Sequence, residues 1–129
     1  MADMQPRDGG PILVGRNVLV VEDESIVSLL IEDMLLELGC ATVWLAANVA
    51  EALKMVAENH PDVAVLDVNL GREAVYPVAE KLDSIDVPFV FATGYGRAGV
   101  DSRWLDRPII QKPYDTDVLA HSLGTLFRR

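Results

Sequence analysis

Short β-branched runs alternate with longer stretches of helical spacing along most of the chain. Asn17-Val18-Leu19-Val20-Val21 is a continuous apolar run stopped by acidic residues, which suits a strand buried on both faces. From Ser25 to Leu38, apolar residues fall at Val27, Leu30, Ile31, Met34, Leu35 and Leu38. That is helical spacing, with Gly39 placed to end it. Ala41 to Ala46 reads as a second strand. Asn48 is a candidate cap for a helix reaching Asn59, with Val49, Leu53, Val56 and Ala57 inward and Pro61 beyond its end. Val63-Ala64-Val65-Leu66 is a third strand, ending at Asp67. A helix is expected from Glu73 to Asp83, with Pro77 near its first turns, and a fourth strand from Val87 to Ala92.

The stretch from Gly94 to Asp106 is the weakest. Gly94, Gly96 and Gly99 fall there, and a glycine inside a helix costs about 1 kcal/mol relative to alanine. A short or mobile helix near Ala98 to Leu105 is expected. Ile109-Ile110-Gln111 is the last strand. Asp115 can cap a final helix carrying Val118, Leu119, Leu123, Leu126 and Phe127 on one side. Five β-α units predict a parallel sheet with helices on both faces, whose ligands bind beyond the carboxyl ends of the strands.

The chain has 129 residues, enough for one domain that buries its own core. Residues 1–14 read as a flexible tail and 15–129 as the domain. Cys40 is the single cysteine, so it has no internal partner, and it reads as a small buried hydrophobe. Eleven basic residues face twenty acidic ones, a net charge of −9. That balance argues against nucleic acid and against an anionic membrane surface. No signal-peptide pattern or membrane-spanning run is visible, and a cytoplasmic protein is expected.

The strand ends carry the candidate chemistry. Glu22-Asp23-Glu24, Asp67, Thr93 and Gln111-Lys112-Pro113 each follow or close a strand, so a parallel sheet brings them to one rim. Carboxylates gathered there repel one another, and a divalent cation with oxygen ligands, such as magnesium, resolves the conflict. A carboxylate can also attack phosphorus to form an aspartyl phosphate. A metal, a lysine and a hydroxyl are the groups that stabilise the phosphoryl charge.

The motifs Leu19-Val20-Val21-Glu22-Asp23-Glu24, Val65-Leu66-Asp67-Val68-Asn69, Ala92-Thr93-Gly94 and Gln111-Lys112-Pro113-Tyr114 resemble those of the receiver domain of bacterial two-component response regulators. The likeness implies a three-layer (βα)5 flavodoxin-like fold, with a doubly wound parallel five-stranded sheet. It implies that Asp67 is the phosphoacceptor and that Asp23, Asp67, Glu22 through water and the backbone carbonyl of Asn69 hold magnesium, with manganese as the alternative. Thr93 would bond a phosphoryl oxygen, Lys112 would pair with the carboxylate and then the phosphoryl group, and the Lys112–Pro113 bond would be cis. Many receivers carry an aromatic switch residue where this chain has Ile109. Phe91-Ala92-Thr93-Gly94-Tyr95 instead resembles a receiver subgroup with that signature, many of whose members stand alone, and makes Tyr95 the candidate switch.

The resemblance implies a phosphoryl donor, either a sensor histidine kinase or a histidine phosphotransfer protein. With no output domain visible after the last helix, output is expected through contact with a downstream protein target. A phosphate shuttle or sink and a phosphorylation-independent scaffold are the alternatives. The chain is expected to catalyse only its own phosphorylation and dephosphorylation. An Asp-x-Asp phosphatase is disfavoured, because Asn69 stands where the acid/base carboxylate is needed. His60 and His121 read as non-catalytic. Trp44 and Trp104 read as packing residues, with Trp104 a candidate for a partly exposed partner surface.

Overall fold

The computed structural model describes residues 13–127. The elements follow in the order β1 (Asn17–Val21), α1 (Ser25–Glu37), β2 (Thr42–Ala46), α2 (Val49–Asn59), β3 (Val63–Asp67), β4 (Asn69–Leu70), β5 (Glu73–Ala74), α3 (Tyr76–Ser84), β6 (Phe89–Thr93), β7 (Ile109–Gln111) and α4 (Thr116–Thr125). Five strands form one parallel sheet in the order β2-β1-β3-β6-β7. The order reverses at β1, between β2 and β3, and such a switch point opens a crevice at the carboxyl edge.

Alternation along the strands builds two cores. Leu19, Val21, Ala64, Leu66, Phe89 and Phe91 face α2 and α3, where Ala52, Val56, Val78 and Leu82 meet them. Val18, Val20, Val63, Val65, Val90 and Ile110 face α1 and α4, where Ile31, Leu35, Leu119 and Leu123 meet them. Fully burying a Leu or Phe side chain stabilises by roughly 1.5–3 kcal/mol, so these two layers supply most of the folding force.

Local signals set the helix ends. Asn48 accepts from the Glu51 N–H at 2.9 Å and Asp115 from the Val118 N–H at 2.9 Å, so both expected caps form. Cys40 is buried and free. Of the expected tail, residues 1–12 lie outside the described residues, while Leu13 is fully buried in the α1/α4 core.

Several expectations need correction. The helix expected from Glu73 starts at Tyr76 with Pro77 in its first turn, and Glu73 belongs to a small antiparallel ladder with β4. The helix expected over Ala98 to Leu105 is replaced by two 3-10 turns, Gly96–Gly99 and Ser102–Trp104. Ala57 is exposed, and Ala52 takes its place in the core. Val118 and Leu30 point outward, and Trp104 is buried within an aromatic cluster rather than exposed.

Candidate functional site

β1 and β3 end side by side and deliver their terminal acids to the same crevice. Glu22 is 3% exposed and Asp67 6%, while Asp23 faces solvent. One carboxylate oxygen each from Glu22, Asp23 and Asp67 lie within 4.8 Å of one another. Lys112 reaches in from the end of β7, with Nζ 2.9 Å from Glu22 Oε1 and 3.5 Å from Asp67 Oδ2. Glu22 is fixed from a second side, because its Oε2 accepts from the Glu24 N–H at 3.1 Å. The bond between Lys112 and Pro113 is cis.

Three carboxylates against one ammonium leave an excess of negative charge. Burial, and then the charge of Glu22, push the Asp67 carboxyl up to about 7, although Lys112 pulls the other way. Burial alone would lower the Lys112 ammonium, but its hydrogen bond to Glu22 and the Asp67 charge hold it above its ordinary range. A set of oxygen donors with surplus negative charge at an open crevice fits a hard divalent cation such as magnesium.

Thr93 closes β6 and is fully buried. Its Oγ1 accepts from the Tyr95 N–H at 3.1 Å, and its backbone carbonyl accepts from the Lys112 N–H at 2.9 Å. Tyr95 is 72% exposed, so its ring lies outside the protein while its backbone is tied to Thr93. Gly99 lies directly over this pair. A β-carbon there would come within 2.5 Å of Thr93 Oγ1 and 2.9 Å of Tyr95 Cβ.

The structure thus gathers Glu22, Asp23, Asp67 and Lys112 at one rim. It sets Asn69 two residues beyond Asp67 in β4, and Thr93 at the end of the strand paired with β3. Gly99, Gly71 and Glu73 were not singled out as site residues from the sequence. Gly71 and Gly99 are readable as local breakers, whereas the contact of Glu73 with Val49, 24 residues away, leaves no local trace.

Residues 18–123 match the family described as the response regulator receiver domain. The solution structure of SdrG from Sphingomonas melonis Fr1 is 45% identical, with 88% of this chain and 97% of that chain covered and a TM-score of 0.78. The BeF3-activated conformation of SdrG, from Pseudomonas melonis Fr1, is 44% identical, with 89% and 98% covered and a TM-score of 0.77. The transcriptional regulatory protein PdtaR of Mycobacterium tuberculosis is 25% identical over 117 residues, 90% of this chain and 53% of that protein. The chain spans about half the length of the curated relatives it matches.

Proposed function

We propose, since the chain belongs to the response regulator receiver domain family, that it is a phosphorylation switch in which Asp67 accepts a phosphoryl group and the loop after Thr93 responds. The observation that carries this reading is the meeting of Glu22, Asp23 and Asp67 within 4.8 Å, with Lys112 bonded to Glu22 beside them.

A carboxylate oxygen of Asp67 attacks phosphorus. The new P–O bond forms as the P–N bond of a partner's phosphohistidine breaks, and its electron pair returns to the imidazole nitrogen. Glu22, Asp23, Asp67 and the Asn69 carbonyl are the groups that would hold magnesium or manganese. A cation held by them would offset the phosphoryl charge. Lys112, already within 3.5 Å of Asp67, turns from the carboxylate to the phosphoryl oxygens. The Thr93 hydroxyl turns its proton to the same oxygens. Its tie to the Tyr95 N–H makes the loop sense the change, a shift between two loop populations biased by one new charge. Water attack on phosphorus returns the carboxylate, so the chain acts only on its own phosphoryl group.

The donor's docking side follows from α1. Its first turns start at the rim and leave Ile26 and Leu29 exposed at 75% and 53%. On another side of the same helix, an apolar groove of about 330 Å³ lined by Val27, Leu30, Ile31 and Met34 runs between α1 and Lys112-Pro113-Tyr114. An apolar face beside the reacting carboxylate suits a helical protein that brings its phosphohistidine to Asp67. No helix among the described residues is long and apolar enough to cross a membrane.

The test is intact mass after incubation with a small phosphodonor, with and without magnesium, for the wild-type protein and Asp67→Asn. One phosphoryl group gained only with magnesium and only by the wild type is expected. No gain in a folded protein given that donor and a cognate kinase would instead favour a scaffold independent of phosphorylation.

A further inference from the structure

The segment after Asp67 is a hairpin rather than the start of a helix. Asn69–Leu70 pairs antiparallel with Glu73–Ala74 through the two-residue connection Gly71-Arg72. Gly71 has φ +67°, which suits the first central position of a tight hairpin turn. Outside the ladder, the Val75 N–H donates to the Val68 carbonyl at 3.0 Å.

That bond sets the phase of the ladder. Antiparallel partners alternate between pairs that exchange backbone hydrogen bonds and pairs that do not. The Val75 N–H to Val68 carbonyl bond flanks the Asn69–Ala74 pair (the Val68 N–H goes to the Ala92 carbonyl), so Asn69 faces Ala74 across a non-bonded position and Leu70 with Glu73 is the bonded pair. The backbone carbonyl of Asn69 is therefore turned out of the ladder, available to another ligand. The turn also lies beside the acidic cluster, since a β-carbon on Gly71 would sit 3.8 Å from Asp23 Oδ2.

One side chain ties this hairpin to the body of the domain. Glu73 Oε2 accepts from the Val49 N–H at 3.1 Å, at the first residue of α2. The helix already caps itself without help. Asn48 takes the Glu51 N–H, and Glu51 takes the Ala47 N–H at 2.9 Å. Val49 is one of the first-turn donors that this box leaves over, and a carboxylate is favoured there by the helix dipole.

We infer that Glu73 is a positioning residue, a latch that holds the hairpin against α2 so that the Asn69 carbonyl is preset for the cation. The inference rests on the metal-dependent reading above and deepens it. Its reach is metal affinity rather than phosphorus chemistry, because Glu73 touches neither the acids nor Lys112 among the contacts described.

The experiment is a magnesium titration of the full chain without phosphodonor, followed by backbone amide NMR. Glu73→Ala should weaken magnesium binding by about tenfold, the lower end of what supporting partners of ligands contribute. Glu73→Gln keeps an oxygen for the Val49 N–H and should restore most of the affinity. Val49→Pro removes the donor at a helix position that tolerates proline, and should weaken binding as Glu73→Ala does. The double variant should be no weaker than either single one, as expected for two halves of one interaction. Wild-type affinity in folded Glu73→Ala and Val49→Pro would overturn the latch alone, as would a Gln variant no better than Ala. No magnesium binding by the wild type would overturn the metal-dependent reading itself.

Discussion

Lys112 is bonded to Glu22 at 2.9 Å and stands farther from Asp67, at 3.5 Å. The ammonium thus rests on Glu22 and stands beside Asp67, the carboxylate proposed to react. Charge-assisted bonds of this kind are the stronger class, and this one is largely shielded from water.

That placement separates two roles of Lys112. Lys112→Met removes a positive charge from a cluster of acids, so magnesium should bind as well or better. The phosphoryl oxygens lose their cationic partner, so uptake from a small donor should slow by roughly 10²-fold, the size of effect seen when one preorganised donor is removed. Metal titration and a mass time course measure the two effects separately.

The metal-free protein should become less stable as pH rises through neutrality. Asp67 is pushed up to about 7 in the folded state, by burial first and by Glu22 second. In an unfolded chain an aspartate titrates near pH ~3.9. Between those values the folded state keeps a proton that the unfolded state has lost. The contribution is full below about pH 4 and is lost progressively as pH rises to about 7; the gap between the two values converts to about 4 kcal/mol, an upper bound that solvent screening lowers. Chelated protein, unfolded by urea at a series of pH values, should show this slope, and Asp67→Asn should flatten it. An equal slope in Asp67→Asn would assign it to other groups.

The loop after β6 should be sensitive to a single methyl group. Gly99→Ala places a carbon 2.5 Å from the hydroxyl oxygen of the fully buried Thr93. The loop must lift or Thr93 must turn, at a cost of about 1–3 kcal/mol. The Tyr95 amide resonance should move without any phosphodonor. An unchanged Tyr95 amide in Gly99→Ala would show that the loop absorbs the methyl elsewhere.

Thr93→Val keeps the shape and removes the hydroxyl. Phosphoryl uptake should persist, while the Tyr95 amide and ring should no longer respond to it. Asp67→Asn should silence the same signals by a different route. A wild-type Tyr95 that does not change under full phosphorylation would remove it from the switch.

The docking face should matter only for a protein donor. Leu29→Lys puts a charge on the exposed apolar side of α1. Transfer from a phosphohistidine protein should slow at least about fivefold, the loss expected when an interface contact worth more than about 1 kcal/mol is removed. Uptake from a small phosphodonor should be unchanged, and intact mass follows both reactions.

The main sheet and the rim were legible because the carboxyl-edge rule converts strand ends into neighbours. Glu22, Asp67, Thr93 and Lys112 needed only four strand assignments and a parallel order. Leu30 was read inward because helical spacing counts apolar residues without knowing which side is covered. Ala57 was misplaced by one step of phase, with Ala52 in the core instead. Glu73 looked like the start of a helix because glutamate is a good helix former. What opposed that was Gly71, Pro77 and a bond to Val49, 24 residues away, and only the first two are written nearby. Around Gly96 and Gly99 the low helix propensity was visible, but not that it resolves into two 3-10 turns.

The loop from Gly94 to Pro108 is fastened unevenly. Its later half is riveted: the Tyr76 hydroxyl takes the Asp101 N–H at 2.8 Å, Trp104 stacks on Tyr76, and Arg107 bonds Asp83 at 2.8 Å while lying over Phe89. Its earlier half hangs from the Thr93 hydroxyl and from Arg97, whose guanidinium reaches back to the Leu105 carbonyl at 3.0 Å. Under the switch proposed for Asp67, the earlier half should therefore swing like a door on a fixed jamb. Trp104 belongs to the jamb, so its emission should stay steady on phosphorylation, and a target protein that distinguishes the two states would have Tyr95 to Arg97 as the moving edge to feel.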